Sequence, residues 1–155
     1  MYNVRGIYIA PEAGAKMRCL CHIQASPGGL EGDRYKNGTG AWSKTREQEA
    51  VRDLTLISEE AIALANQGRD ELFTPADTRR NIIVTVGVQQ LNDLLGREFS
   101  IGRVQVFGAE LCHPCKRPSV LSGKPGFAES FKDRGGLRVR VLNEGLIVFG
   151  DVISW

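Results

Sequence analysis

Short apolar segments separated by glycine and proline predict a fold made mainly of β-strands. The predicted strands consist of β-branched or alternating apolar residues, and turn residues bound each of them. They lie at residues 4–9, 17–24, 54–57 and 81–86, in a hairpin or a bent strand within 98–107, and at 137–142 and 146–153. About seven strands of this kind favour a closed or nearly closed β-barrel, because closure leaves no long open edge.

The same pattern predicts two or three small helices between the strands. Ser58 is placed to cap the first, and Glu59 and Glu60 follow at the end of the helix that favours negative charge. Apolar residues then recur on one face until Gly68, which is suited to end the helix. A second helix is predicted over residues 88–95.

Three glycine-containing segments predict turns. Residues 26–29 form one, and residues 102–103 form the turn of the predicted hairpin. Residues 143–145 read Asn-Glu-Gly between two β-branched segments, which favours a further hairpin.

Composition predicts one ordinary globular domain over residues 1–155, with 42% hydrophobic and 25% charged residues. No apolar segment is long enough to span a membrane, and the N-terminus lacks the pattern of a signal peptide. A cytoplasmic location with reduced thiols is therefore expected. The net charge of +2 is too small to indicate nucleic acid or a membrane as a partner.

Residues 112–118 read Cys-His-Pro-Cys-Lys-Arg-Pro and are the segment that indicates most about the chemistry of the chain. They bring two thiols, an imidazole and two cations together, and the prolines predict a loop in place of a regular helix. Nearby positive charge generally favours the thiolate, which is the form that attacks sulfur or binds a soft metal.

Three chemistries are open for this segment. Cys112 and Cys115 suit a redox pair, although Pro118 opposes the helix that such a motif normally opens. They also suit half of a zinc site, which Cys19, Cys21 and either His22 or His113 would complete. The third chemistry is a single thiolate that accepts sulfur or binds a metal.

Two other segments carry charge in unusual settings. Residues 29–35 surround Asp33 and Arg34 with glycines, which permit a close approach of the backbone. Arg79 and Arg80 precede the predicted strand at residue 81, and adjacent guanidinium groups suit a phosphate or another oxyanion.

Taken in order, these segments resemble the MOSC domain, the module named after the C-terminal part of molybdenum cofactor sulfurases. The matching segments are residues 32–35, 54–58, 80–84, 96–102, 112–115, 134–137, 144–145 and 150–151. They resemble the short, stand-alone type of MOSC protein, and the resemblance implies a barrel-like fold.

The resemblance implies that Cys115 is the reactive, catalytic thiolate, while Cys112 has no assigned role. In sulfurase-type members the matching cysteine carries sulfur for the molybdenum cofactor. In reductase-type members it binds molybdenum, and the enzyme reduces N-hydroxylated compounds. We therefore expect a domain that binds the molybdenum cofactor (molybdopterin) or carries sulfur. A small reductase and a zinc-stapled binding module are the alternatives, so enzymatic activity is left open.

The cofactor is a pterin that bears a phosphate, so the resemblance implies cationic residues around it. The implied cofactor contacts are Asp33, Arg34, Arg79, Arg80, Asn81, His113, Lys116 and Arg117, with Cys115 as the molybdenum ligand. A cysteine desulfurase is the expected sulfur donor and a molybdoenzyme the acceptor. Pyridoxal phosphate belongs to the desulfurase domain of fused relatives and is not expected here. Neither is the additional N-terminal barrel domain that reductase-type members usually carry.

Overall fold

The computed structural model describes residues 1–41 and 53–155, which contain 11 β-strands, five short α-helices and one 3₁₀ helix. The strands are β1 Tyr2–Ile9, β2 Arg18–Leu20, β3 His22–Ser26, β4 Gly29–Leu30, β5 Leu54–Ser58, β6 Ile82–Val84, β7 Glu98–Ile101, β8 Val104–Leu111, β9 Leu137–Val141, β10 Gly145–Val148 and β11 Val152–Ser154. The helices are α1 Arg34–Asn37, α2 Glu59–Asn66, α3 Val88–Asn92, α4 Arg117–Ser122 and α5 Phe127–Ser130, with the 3₁₀ helix at Ala76–Thr78.

Seven of these strands close into a barrel in the order β1, β6, β5, β9, β8, β7 and β11, and β11 pairs back onto β1. Strands β5 and β6 are parallel, and the other neighbours around the ring are antiparallel. Strand β2 adds to β1 outside the ring, and β10, β3 and β4 form a separate sheet. The predicted closed barrel is confirmed.

Alternating side chains divide the barrel wall into an apolar inside and a more polar outside. In β9, Leu137, Val139 and Val141 belong to the barrel core, whereas Arg138 and Arg140 alternate with them. A second apolar core lies outside the wall, where side chains from β5 and β6 pack against helices α2 and α5. Arg138 and Arg140 of β9 lie outside both apolar cores, so this part of the outer wall is available for polar groups.

Two predicted strands are each divided in the structure, so those predictions were wrong. Residues 17–24 form β2 and β3, because the chain changes sheets at Cys21: β2 pairs with β1, whereas β3 pairs with β10. Residues 146–153 contain parts of β10 and β11, separated by a turn in which Asp151 accepts a hydrogen bond from the Val148 N–H at 2.8 Å. Apolar patterns do not show when a strand changes partner.

The hairpin predicted around residues 143–145 is also wrong, because β9 pairs with β8 and β5 whereas β10 pairs with β3. Asn143 instead ties this turn to the β7–β8 hairpin: its side chain accepts from the Gln105 N–H at 2.7 Å and donates to the Arg103 carbonyl at 3.2 Å. The turn predicted at residues 26–29 lies between the paired strands β3 and β4, and the hairpin predicted within residues 98–107 is formed by β7 and β8.

Helix α2 forms as predicted, and the Ser58 hydroxyl accepts a hydrogen bond from the Glu60 N–H at 3.1 Å. The predicted effect of Pro118 was wrong. Residues 112–116 form a loop, but α4 begins at Arg117 with Pro118 in its first turn. Proline is favourable there because the first N–H groups of a helix have no partner within the helix. Among the described residues, no helix has the length and apolar character needed to cross a membrane.

Candidate functional site

Cys115 lies in the loop between β8 and α4 and lines a cleft on the outside of the barrel. The cleft encloses about 630 Å³ of space, part of which is open to solvent. The Cys115 side chain is exposed, whereas Cys112, at the start of the loop, is buried. The two cysteines therefore have different environments, and Cys115 is the thiol that a solute reaches.

The backbone around Gly135 and Gly136 fixes the start of the reactive loop. The Cys112 N–H donates to the Gly136 carbonyl at 2.8 Å, and a side-chain carbon at Gly135 would collide with the Cys112 carbonyl oxygen. At Gly136 a side-chain carbon would collide with the carbonyl oxygen of Leu56. Only glycine allows this close approach of the loop to the barrel wall.

Five arginines dominate the lining of the cleft, and the described lining residues include no aspartate or glutamate. They come from helix α1, the segment before β6, helix α4 and strand β9. The lining residues are Ala13, Gly14, Arg34, Tyr35, Ala41, Thr55, Arg79, Arg80, His113, Cys115, Arg117, Pro118 and Arg138. The cleft is therefore strongly electropositive around an accessible thiol.

Arg34 is almost completely buried, and three contacts hold its guanidinium. Nη1 lies 3.0 Å from the Asp33 carboxylate and 3.6 Å from the sulfur of Met17, and Nη2 donates to the Arg79 carbonyl at 3.0 Å. Asp33 is fully buried and also caps helix α1. Because both charges of this pair are desolvated, each depends on the other, and Arg34 has a defined position.

Arg79 is held in a left-handed backbone conformation with a φ of 62°. Its Nη1 donates to the Ala15 carbonyl. Burial, together with the positive charges of Arg34 and Arg117, lowers the pKa of Arg79 to about 10. A bound anion would relieve this repulsion, and backbone strain of this kind is often found at functional sites.

Two further arginines are anchored on the wall near the reactive loop. Arg80 donates from Nε to the Gly135 carbonyl at 2.7 Å. Arg138 is paired with Thr55 and with Glu110 across neighbouring strands, and its guanidinium lies 3.8 Å from the Glu110 carboxylate. The residues of three adjacent strands therefore meet beside the loop that carries Cys115.

The residues predicted from the sequence take up three different positions. Those that line the cleft are Arg34, Arg79, Arg80, His113, Cys115 and Arg117. Asp33 and Asn81 are completely buried and do not line it, and Lys116 is exposed without lining it. Asp33 orients Arg34, and Asn81 orients Thr55. The structure thus gives these two polar residues a supporting position behind the cleft wall.

Sequence reasoning missed Arg138, Thr55 and Tyr35 as cleft residues. The alternating sequence Leu-Arg-Val-Arg-Val in residues 137–141 indicates that Arg138 faces away from the core. It does not show which neighbouring strands supply the rest of the cleft. Tyr35 lies at the end of the segment 29–35, in which the sequence indicated only Asp33 and Arg34 as site residues. The centre of the Tyr35 ring is 4.8 Å from the Arg34 guanidinium carbon.

The structure gives no support to the zinc-stapled alternative. Cys19 and Cys21 are exposed, and Cys21 lies between two strands that belong to different sheets. Within residues 1–41 and 53–155, no group of three or more His, Cys, Asp or Glu side chains is placed to hold a metal ion.

A family model described as the MOSC domain matches residues 40–154 of the chain. The chain belongs to the MOSC domain family. The family is associated with proteins of the molybdenum cofactor, and the resemblance seen in the sequence is confirmed. No curated protein sequence matches the chain.

Solved structures of similar fold cover the chain from end to end. The YUAD protein from Bacillus subtilis has a TM-score of 0.78 and 19% identity, over 100% of this chain and 97% of that one. YiiM from Geobacillus stearothermophilus has a TM-score of 0.74 and 14% identity, over 99% and 74% of the two chains. YiiM from Escherichia coli has a TM-score of 0.66 and 15% identity, over 99% and 69%. These likenesses establish the shared fold.

Proposed function

We propose that this MOSC domain binds the molybdenum cofactor in the arginine-lined cleft and uses the Cys115 thiolate as its sulfur- or metal-binding group. One observation supports this most strongly: Cys115 is exposed within a cleft lined by five arginines and, among the described residues, by no carboxylate. A soft thiolate suits molybdenum or sulfane sulfur, and guanidinium groups suit the phosphate of the pterin.

The residues of the cleft fit the two chemically distinct ends of such a cofactor. Cys115 would hold the metal or the transferable sulfur, and Arg79, Arg80 and Arg117 would bind the phosphate. Arg34 is already paired with Asp33, so it contributes shape and a fixed positive charge. When bound, the cofactor supplies a redox-active molybdenum centre.

As a sulfur carrier, Cys115 would receive sulfur from a persulfide on a donor protein such as a cysteine desulfurase. The Cys115 thiolate attacks the outer sulfur of the donor persulfide, and a new sulfur–sulfur bond forms. The bond within the donor persulfide breaks, and the donor leaves as a thiolate. The positive charge of the cleft favours the attacking thiolate, and a molybdoenzyme is the expected acceptor.

The test replaces Cys115 by serine and compares it with Cys21→Ser, which removes an exposed thiol outside the cleft. Each protein is purified from cells that make the cofactor, and its molybdenum and pterin contents are measured. Each is also treated with a persulfide donor, and the added sulfur is measured by mass spectrometry. Cys115→Ser should lose bound molybdenum or the persulfide, whereas Cys21→Ser should match the wild type.

Retention of both properties by Cys115→Ser would refute the proposed function. If the wild type loaded with cofactor reduces an N-hydroxylated compound with an added electron donor, and Cys115→Ser does not, the site is that of a reductase. Absence of turnover alongside persulfide formation identifies a carrier.

A further inference from the structure

We propose that the Cys115 cleft continues into a docking groove along helix α4, and that this groove binds an acidic and apolar segment of a partner protein that delivers a persulfide to Cys115. The docking groove consists of the cleft already described and an adjacent cavity between residues 14–17, the 3₁₀ helix and helix α4. This inference rests on the proposed function, because it takes Cys115 to accept sulfur.

The cleft and the adjacent cavity are continuous, because three residues line both: Gly14, Arg79 and Pro118. The cavity encloses about 750 Å³, part of which is open to solvent. A side-chain carbon at Gly14 would lie 3.6 Å from the Arg117 guanidinium, which lines the cleft, and 4.0 Å from the Leu121 side chain, which lines the cavity. The missing side chain of Gly14 therefore leaves a passage between the two.

Asp77 lines the cavity, but its negative charge is compensated within the protein. Burial opposes ionisation of Asp77, but hydrogen bonds from Lys124 at 2.6 Å and from the Thr74 N–H at 2.8 Å outweigh it, so its pKa is lowered. The ionised carboxylate and the Lys124 ammonium form a salt bridge. Asp77 therefore does not neutralise the other cations of the docking groove.

The docking groove carries positive charge that the described residues do not compensate. Lys16 and Arg79 line the cavity, and Arg79 and Arg117 line the cleft. Within residues 1–41 and 53–155, none of these three side chains makes a salt bridge. Their charges run along the whole groove, so they complement a ligand with several carboxylates spaced along an extended chain.

The far end of the docking groove is apolar. Leu121 lines the cavity together with Met17 and Pro118, and 40% of the Leu121 residue is exposed. Helix α4 begins at Arg117, and a helix rises about 1.5 Å per residue, so Leu121 lies about 6 Å along the axis from that start. An extended peptide advances about 3.3 Å per residue. A segment with its persulfide at Cys115 therefore places a side chain two or three positions away, at about the distance of Leu121.

The transfer step needs no further reactant. The Cys115 thiolate attacks the outer sulfur of the persulfide on the docked segment, and a new sulfur–sulfur bond forms. The sulfur–sulfur bond of the donor breaks, and the donor cysteine leaves as a thiolate. Docking holds the reacting sulfurs together, so a donor that fills the groove should react faster than a free small persulfide.

The experiment compares three persulfide donors by the rate at which each transfers sulfur to the purified protein, followed by mass spectrometry. The first is the persulfide of the peptide acetyl-Leu-Asp-Glu-Cys-amide, which joins an apolar side chain and two carboxylates to the donor cysteine. The second donor has lysine in place of both acidic residues. The third is the persulfide of N-acetylcysteine amide, which is small and uncharged apart from the persulfide itself.

The variants change one part of the docking groove at a time. Leu121→Asp places a negative charge at the apolar end. Val120→Asp is its matched control, because Val120 is 77% exposed on the same helix and lines neither the cleft nor the cavity. Lys16→Ala removes one cation, and circular dichroism checks that each variant is folded.

We expect the wild type to accept sulfur from the acidic peptide about tenfold faster than from either other donor. Leu121→Asp should slow transfer from the acidic peptide about tenfold and Lys16→Ala about threefold, and Val120→Asp should match the wild type. For all three variants, the rate from the small donor should not change, because that donor does not reach the far end of the groove.

The inference is overturned if the acidic peptide reacts no faster than the small or the basic donor, or if Leu121→Asp and Val120→Asp have equal effects. Self-association of the wild type that Leu121→Asp abolishes would identify a second copy of the chain as the occupant, and would overturn it as well. If the wild type accepts sulfur from no donor, the carrier function fails. Calorimetric affinity for the two peptides with serine in place of cysteine then decides the docking separately.

Discussion

Replacing Asn81 by alanine is expected to destabilise the barrel strongly, because the buried Asn81 amide joins two strands. Its oxygen accepts hydrogen bonds from the Thr55 N–H at 3.0 Å and the Thr55 hydroxyl at 3.2 Å. Its nitrogen donates to the Tyr8 carbonyl at 3.0 Å. Asn81 is fully buried, so water does not replace these partners at its side chain.

The magnitude follows from the groups that lose their partners. Alanine leaves the Thr55 N–H and the Tyr8 carbonyl without the side-chain hydrogen bonds that they now make. Each unsatisfied buried group costs about 1–3 kcal/mol, so the two together lower the free energy of unfolding by about 2–6 kcal/mol. For a domain of this size, each kcal/mol shifts the melting temperature by about 2–4 °C, so it should fall by about 4–24 °C.

Thermal unfolding followed by circular dichroism measures this change, with Asn143→Ala as the matched control. Asn143 also makes two hydrogen bonds to the backbone, to Gln105 and Arg103, but its side chain is exposed. Water replaces those bonds, so the control should lose less than about 1 kcal/mol. The reasoning is refuted if Asn81→Ala unfolds at the same temperature as Asn143→Ala. If Asn81→Ala is as stable as the wild type but binds the cofactor more weakly, Asn81 contacts the cofactor directly, as the sequence analysis expected.

Two further predictions concern charged residues. Arg117→Ala should weaken the binding of inorganic phosphate about tenfold, and Lys116→Ala should change it less than about twofold. The reason is that, of these two residues, only Arg117 lines the cleft. Equal effects of the two substitutions in a calorimetric titration would contradict this. Asp77→Asn should lower the free energy of unfolding by about 1–2 kcal/mol at pH 7, because the folded state lowers the pKa of Asp77. The stabilisation by Asp77 is present above its unfolded pKa and is lost as the pH falls through its folded pKa. In denaturant unfolding, the difference in free energy of unfolding between the wild type and Asp77→Asn should therefore shrink below about pH 4. A difference that does not change with pH would rule this mechanism out.

Local sequence predicted several elements well because their signals lie within a few residues. The serine cap and the acidic first turn specify α2, and the glycine turn at residues 102–103 specifies the β7–β8 hairpin. The predictions failed where a strand changes partner, as at Cys21, because apolar alternation carries no information about the neighbouring strand. Pro118 was misjudged because the same residue ends a helix in its interior and favours one at its start.

In the candidate site, too, the sequence predicted the features that lie within a few residues and missed those that depend on strand pairing. The composition of residues 112–118 predicts a reactive thiol among cations, and the structure places Cys115 and Arg117 in one cleft. Arg138 was missed because strand pairing brings it beside Thr55 and Glu110 from distant parts of the sequence. Lys116 and Arg117 are adjacent in sequence, yet only Arg117 lines the cleft, because the start of α4 directs neighbouring side chains to different sides.

The sequence alone therefore determined the closed β-barrel class and the MOSC resemblance, and it predicted the reactive segment. These depend on side-chain pattern, turn chemistry and the order of short motifs, all of which are local. Only the tertiary structure decided which cations surround Cys115 and why Asp33 and Asn81 support the wall without lining it. Those features depend on strand order and burial, which arise when segments that are far apart in the chain pack against one another.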